Sequence, residues 1–135
     1  METVRYRWVV PYTSQFGDTR PYVPVRLQYG GRAFDTVGLI DSGADGSLFH
    51  LQWAQVLGFT LDPSRVQQTG GVGGTANLWT FDMHITVAGK RFAARVGFSN
   101  GCPKEFGLLG RSDFFRAFAV GIDEPGNRVL LRSNW

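Results

Sequence analysis

Cysteine, histidine and charge are all scarce in this chain, and each scarcity removes a class of function. A lone cysteine, Cys102, forbids an intramolecular disulfide and any cysteine-built metal cage among the 135 residues. The two histidines, His50 and His84, lack the spacing of a zinc site and read as structural or surface residues, so no metal and no other cofactor is expected. No apolar run approaches a membrane-spanning helix, and the arginine-bearing start is unlike a signal peptide. A protein with no membrane partner, in a reducing and cytoplasmic setting, is the expectation. Charged residues make up only 19% and the net charge is +3, but the twelve arginines are strewn singly from Arg5 to Arg132. Without a basic block, nucleic acid is not an expected partner.

What the chain has in quantity is glycine, 18 residues, with six prolines, set between short β-branched and aromatic runs. That pattern predicts a turn-rich, mostly β fold. With 43% apolar residues the chain can build one modest core. Val4 to Val10 alternates apolar residues with arginine, as a half-exposed strand does. Tyr22 to Tyr29 and Arg32 to Ile40 predict a hairpin around Gly30-Gly31. Ser47 to Leu57 predicts a short helix ended by Gly58. Val66 to Gln68 reads as extended, and Leu78 to Val87 with Arg91 to Phe98 as a second hairpin around Ala88-Gly89-Lys90. Arg111 to Phe118 predicts a second helix, with Phe114, Phe115 and Phe118 as core residues at helical spacing. Val120 to Ile122 and Arg128 to Arg132 predict a last pair of strands.

One loop carries chemistry. Asp41-Ser42-Gly43-Ala44-Asp45 follows directly on the aliphatic run Val37-Gly38-Leu39-Ile40. A carboxylate at the end of a buried strand is costly unless something pairs with it or uses it. Taken alone, Asp-Ser-Gly is also a common turn, in which the aspartate forms an Asx-turn. Three further features accompany it in order: the glycine-rich segment Gly70-Gly71-Val72-Gly73-Gly74, the element Leu108-Leu109-Gly110, and Arg111 immediately after. The glycine-rich segment lacks the Lys-Ser/Thr of a phosphate-binding loop.

Together these residues resemble the retropepsins, the single-domain, retroviral type of aspartic protease, over roughly Pro21 to Trp135. The resemblance implies a closed, mostly β acid-protease barrel with one or two short helices and a glycine-rich flap. It divides the chain into an N-terminal arm or strand extension, residues 1–20, and a protease domain, residues 21–135. It makes Asp41 the catalytic carboxylate and Ser42, Gly43 and Ala44 the active-site loop. Asp45 and Arg111 become a structural ion pair, and Gly71, Val72, Gly73 and Gly74 become the flap over an extended peptide or protein substrate.

Peptide hydrolysis by carboxylates needs two of them in contact, one ionised and one protonated. A single Asp-Ser-Gly therefore implies a homodimer with its site on the two-fold axis. The C-terminal strand Val129-Leu130-Leu131-Arg132 is a candidate for a dimer sheet, unless the N-terminal arm covers or joins it. The alternatives are a weak or inactive dimerisation or peptide-binding module on the same fold, and a processing segment of a longer protein, active only when that protein dimerises.

Overall fold

Two glycines set the first element of the architecture. In the computed structural model, which describes residues 5–13, 17, 19–71 and 74–134, β2 (Tyr22–Tyr29) turns through Gly30-Gly31 into β3 (Arg32–Ile40). Gly30 takes a φ of +57°, the left-handed value a two-residue hairpin loop requires, and Tyr29 pairs with Arg32 across it. β2 alternates, with Val23, Val25 and Leu27 buried and Pro24 and Arg26 exposed. Arg26 meets Asp35 across the exposed face at 2.7 Å.

β3 ends differently. Val37, Gly38 and Ile40 are all buried, because β3 dives between layers and runs parallel to β8 (Gly107–Leu109), with Ile40 opposite Leu109. The other side of β8 takes β4 (Leu48–His50), which in turn runs parallel to β7 (Lys90–Ser99). β7 pairs along its whole length with β6 (Gly74–Val87), and the later part of β6 returns to β2 through Leu27 and Ile85. Six strands thus close in the order β2-β3-β8-β4-β7-β6, leaving β5 (Gln67–Gly71) as a flange on the first part of β6. Val23, Leu27, Phe49, Ile85, Val96, Phe98 and Leu109 fill the interior without exposure.

A separate three-stranded sheet has the order β1-β10-β9, formed by β1 (Trp8–Pro11), β10 (Arg128–Ser133) and β9 (Phe118–Asp123). The strand within residues 1–20 therefore joins the C-terminal strand, in register from Trp8–Leu131 to Pro11–Arg128. Both edges of β10 are filled by its own chain, so in this arrangement it offers no free edge to a second copy. Among the described residues no helix is long and apolar enough to cross a membrane.

Two helix boundaries depart from expectation. Residues 48–50 are strand, and α1 covers only Leu51–Val56. Leu48 and Phe49 satisfy their backbone in two neighbouring strands, and the helix begins where the His50 ring accepts the Gln52 N–H at 3.1 Å. The second helix, α2, is a single turn, Phe114–Ala117. Arg111 and Ser112 are bonded to the Asp41 loop and Gly110 to the Ser47 hydroxyl instead, and Phe118 is already extended. Phe114 and Phe118 are buried as expected, but Phe118 opens a strand.

Candidate active site

Asp41 emerges from β3 at the point where β3 and β8 part. Its N–H donates to the Leu109 carbonyl at 3.0 Å, the last backbone link between the two strands. The chain then folds back on itself. The Ala44 N–H reaches the Asp41 carbonyl at 3.2 Å, and the Gly43 N–H donates to Asp41 Oδ1 at 2.9 Å. The Asx-turn and the catalytic reading of Asp41 are therefore compatible, since one carboxylate oxygen is turned inward by Gly43 and the other takes no protein hydrogen bond among the described residues. Asp41 is half-buried, while Ser42 and Gly43 are exposed. The sequence anticipated a buried carboxylate; in the single chain the loop instead presents its tip outward.

The loop is anchored from behind by the segment after β8. The Arg111 N–H donates to the Ala44 carbonyl at 2.9 Å and the Ser112 N–H to the Asp45 carbonyl at 2.7 Å. These backbone bonds do the work expected of an Asp45–Arg111 ion pair. Among the described residues no salt bridge joins those two side chains, both of which are exposed. The two side chains do border one cavity of about 500 Å³, together with Ser42, Phe115 and Arg116.

The buried carboxylate in this region is Asp113, 5% exposed, which sequence reasoning passed over as part of a helix. It accepts the Ser47 hydroxyl at 2.6 Å, the Ser47 N–H at 3.2 Å and the Phe114 N–H at 2.6 Å. Ser47, 3% exposed, then accepts the Gly110 N–H on its hydroxyl at 3.1 Å, and its carbonyl accepts the Gly97 N–H at 2.9 Å. The charge is thus fully hydrogen-bonded, as a buried carboxylate must be. Through Ser47 it ties the far end of the 41–46 loop to the segment just after β8 and to α2. The available signal was Asp113 itself, an N-cap type directly before Phe114-Phe115. Gly110 completes the crossing, since a Cβ there would lie 2.4 Å from the Gly46 carbonyl carbon and oxygen.

In front of the loop, β5 and β6 form an antiparallel hairpin paired from Gln67–Leu78 to Gly71–Gly74. Gly71 and Gly74 thus form its last described rung, and Val72 and Gly73 lie outside the described residues. Between the loop and the sheet of β6 and β7 opens a cavity of about 400 Å³, bordered by Ala44, Asp45, Leu48, Leu78, Arg95 and Leu108 among others. Another of about 340 Å³ lies under the base of the hairpin and shares Thr80 and Arg95 with it. A cavity of about 560 Å³ on the outer face of β6 and β7, by Tyr29, His84 and Arg91, shares no residue with the Asp41 loop.

Two titrating groups lie on the elements that frame the site. Burial, with a smaller contribution from Lys104, holds the His50 imidazole below its ordinary pKa. Burial also pushes the Cys102 thiol up to about 11. Among the described residues no three His, Cys, Asp or Glu side chains converge as a metal site would need.

No protein-family model matches the sequence, and no curated protein matches it either. Comparison of structures does find a match, the crystal structure of a retropepsin-like aspartic protease from Rickettsia conorii. The two superpose with a TM-score of 0.63 at 18% sequence identity, over 93% of this chain and 97% of the other. Identity at that level speaks for architecture, and the closed six-stranded barrel agrees with it: the chain has the retropepsin-like fold.

Proposed function

We propose that this protein is an aspartic endopeptidase whose active form is a homodimer. The observation that carries the reading is the state of Asp41 in a single chain. It stands on a loop pinned from behind by Leu109, Arg111, Ser112 and the Ser47–Asp113 pair, yet its half-buried carboxylate is held, among the described residues, only by the Gly43 N–H. So much rigid support behind one open carboxylate suits half of a two-carboxylate site.

In a two-fold dimer the Asp41 of a second copy supplies the other half. Two carboxylates in contact share one proton, because both cannot be ionised at once. The ionised member takes a proton from a water lying between them as its oxygen attacks the peptide carbonyl. The protonated member donates to the carbonyl oxygen, and collapse of the tetrahedral species returns a proton to the departing amine. Ser42 of each copy braces the two loops across the axis, and Gly43 and Ala44 admit the substrate backbone. The hairpin of β5 and β6, with Gly71 and Gly74 on its last described rung, closes over an extended peptide as a flap, pairing with it as one strand pairs with another. β10 itself has no free edge, and the dimer contact in this reading is the loop face that carries Asp41, with a modest, concentration-dependent dimer expected.

The test is cleavage of a mixed peptide library at several protein concentrations, wild type beside Asp41→Asn. Cleavage that disappears in the variant and rises faster than linearly with protein supports the proposal. Equal behaviour of the two proteins at every concentration would refute it and favour a binding or dimerisation module.

A further inference from the structure

We infer that Arg95 gives the binding cleft a preference for an acidic side chain, glutamate above all, at the substrate position next to the Asp41 loop. The inference rests on the peptide-binding reading above and goes beyond it to the class of substrate.

The cavity between the loop and β6–β7 has two different parts. Leu48, Leu78 and Leu108, all half-buried, give it an aliphatic lining close to the barrel, and Arg95 stands on its border. Arg95 projects from β7 opposite Asp82 and also borders the adjoining cavity under the hairpin and the one on the outer face. A group that borders three recesses is placed to meet a side chain entering from the cleft.

Its present partners are poor ones. Arg95 Nη1 lies 3.8 Å from Asp82 Oδ1, with the two side chains 71% and 83% exposed, and Nη2 lies 3.5 Å from the Thr80 hydroxyl. Neither contact is short, and an exposed pair of this kind is weak, so a better carboxylate displaces it at little cost. A guanidinium accepts a carboxylate through two parallel hydrogen bonds, and covering the pair with a bound peptide strengthens it.

The neighbouring charges allow the same conclusion. Asp45 borders this cavity too, but it also borders the recess that holds Arg111 and Arg116. Asp62, in the adjoining cavity with Arg65, already accepts the Ser64 N–H at 2.9 Å and the Ser64 hydroxyl at 2.8 Å. Arg95 is thus a cation of the cleft whose own counter-charge, Asp82, is only loosely engaged. Glutamate fits the two-part lining, with methylenes for the leucines and a carboxylate that reaches the border.

The experiment compares peptide pairs that differ only by Glu against Gln at one position, taken through each position of a sequence the wild type cleaves. Where the protein cleaves no peptide, the same pairs carry a fluorophore on a generic extended, apolar peptide. Binding of each pair to Asp41→Asn is followed by fluorescence anisotropy, which does not depend on catalysis. At one position the Glu peptide should be favoured by about five- to tenfold, in cleavage and in binding. The preference should fade at about 1 M salt, where charges are screened within roughly 3 Å. Arg95→Gln should bring the ratio close to one while other positions keep theirs, and Arg95→Glu should favour Lys there instead. Equal use of Glu and Gln at every position, or a Glu preference untouched by Arg95→Gln, would overturn the inference while leaving a cleaving enzyme an aspartic protease. Charge-selective binding through Arg95 without cleavage would reject the protease reading and keep this one. Neither cleavage nor binding of any peptide would reject both.

Discussion

Replacing Asp113 with alanine tests the idea that the Asp41 loop is held by a buried charge behind it. The substitution removes the acceptor for three donors, Ser47 N–H, Ser47 Oγ–H and Phe114 N–H, in a place where Ser47 is 3% exposed and Phe114 fully buried. A buried donor left without a partner costs roughly 1–3 kcal/mol. The Ser47 hydroxyl can rotate to a new acceptor and a water can enter the vacated space, so the three do not add in full. A net loss of about 4 kcal/mol follows, large against the roughly 5–15 kcal/mol that holds a domain together. In urea, with a slope of about 2 kcal/mol per molar, the midpoint should fall by roughly 2 M. Hydrogen exchange by mass spectrometry should show the Arg111 and Ser112 amides losing protection first, because the turn that aims them at Ala44 and Asp45 is what Asp113 fixes. Asp35→Ala is the matched control, since it breaks an exposed pair with Arg26 and should scarcely move the midpoint. If Asp113→Ala moves it no more than Asp35→Ala does, the buried anchor contributes nothing net and the reasoning fails.

Three further outcomes follow from particular contacts. Gly110→Ala places a methyl 2.4 Å from the Gly46 backbone, which has no flexible side chain to move aside; a stability loss of roughly 2–3 kcal/mol, with cleavage lost more than tenfold, is expected from denaturation and activity assays. His50 must be neutral to accept the Gln52 N–H, and burial lowers its pKa in the folded chain; the unfolded chain therefore binds more protons below pH 6.5, and stability should be full above that pH and fall as pH drops through the folded value. Thermal melts of His50→Asn, which keeps a cap, should lose that part of the slope, and an unchanged profile would count against it. Cys102, 5% exposed and raised to about 11, should resist maleimide at pH 8 in the native protein and react promptly in denaturant, as read by intact mass.

What could be read from the sequence divides along local and non-local lines. β2 and β3 were legible from end to end, because alternation and a Gly-Gly turn are encoded in neighbouring residues. β4 was not, because nothing within Ser47 to Leu57 says that Leu48 and Phe49 will be claimed by β7 and β8, more than forty residues further on. The same holds for α2, where helical spacing of Phe114 and Phe118 was real but arose from a buried turn and a buried strand meeting one core.

The site shows the division most clearly. Asp41, Gly43 and Gly110 could be singled out from their residue types, and the structure puts the first two in one Asx-turn and the third at the close crossing with Gly46. Ser47 and Asp113 have common residue types, and only the fold brings them together across 66 positions of sequence. The expected burial of Asp41 failed for a related reason. A carboxylate on a rigid loop that one chain leaves half-open becomes enclosed only when another surface covers it, so its burial is a property of the proposed dimer. The single chain is built accordingly: its buried carboxylate, Asp113, is satisfied by its own neighbours, and Asp41, proposed as the reactive one, keeps an oxygen without a protein hydrogen bond among the described residues.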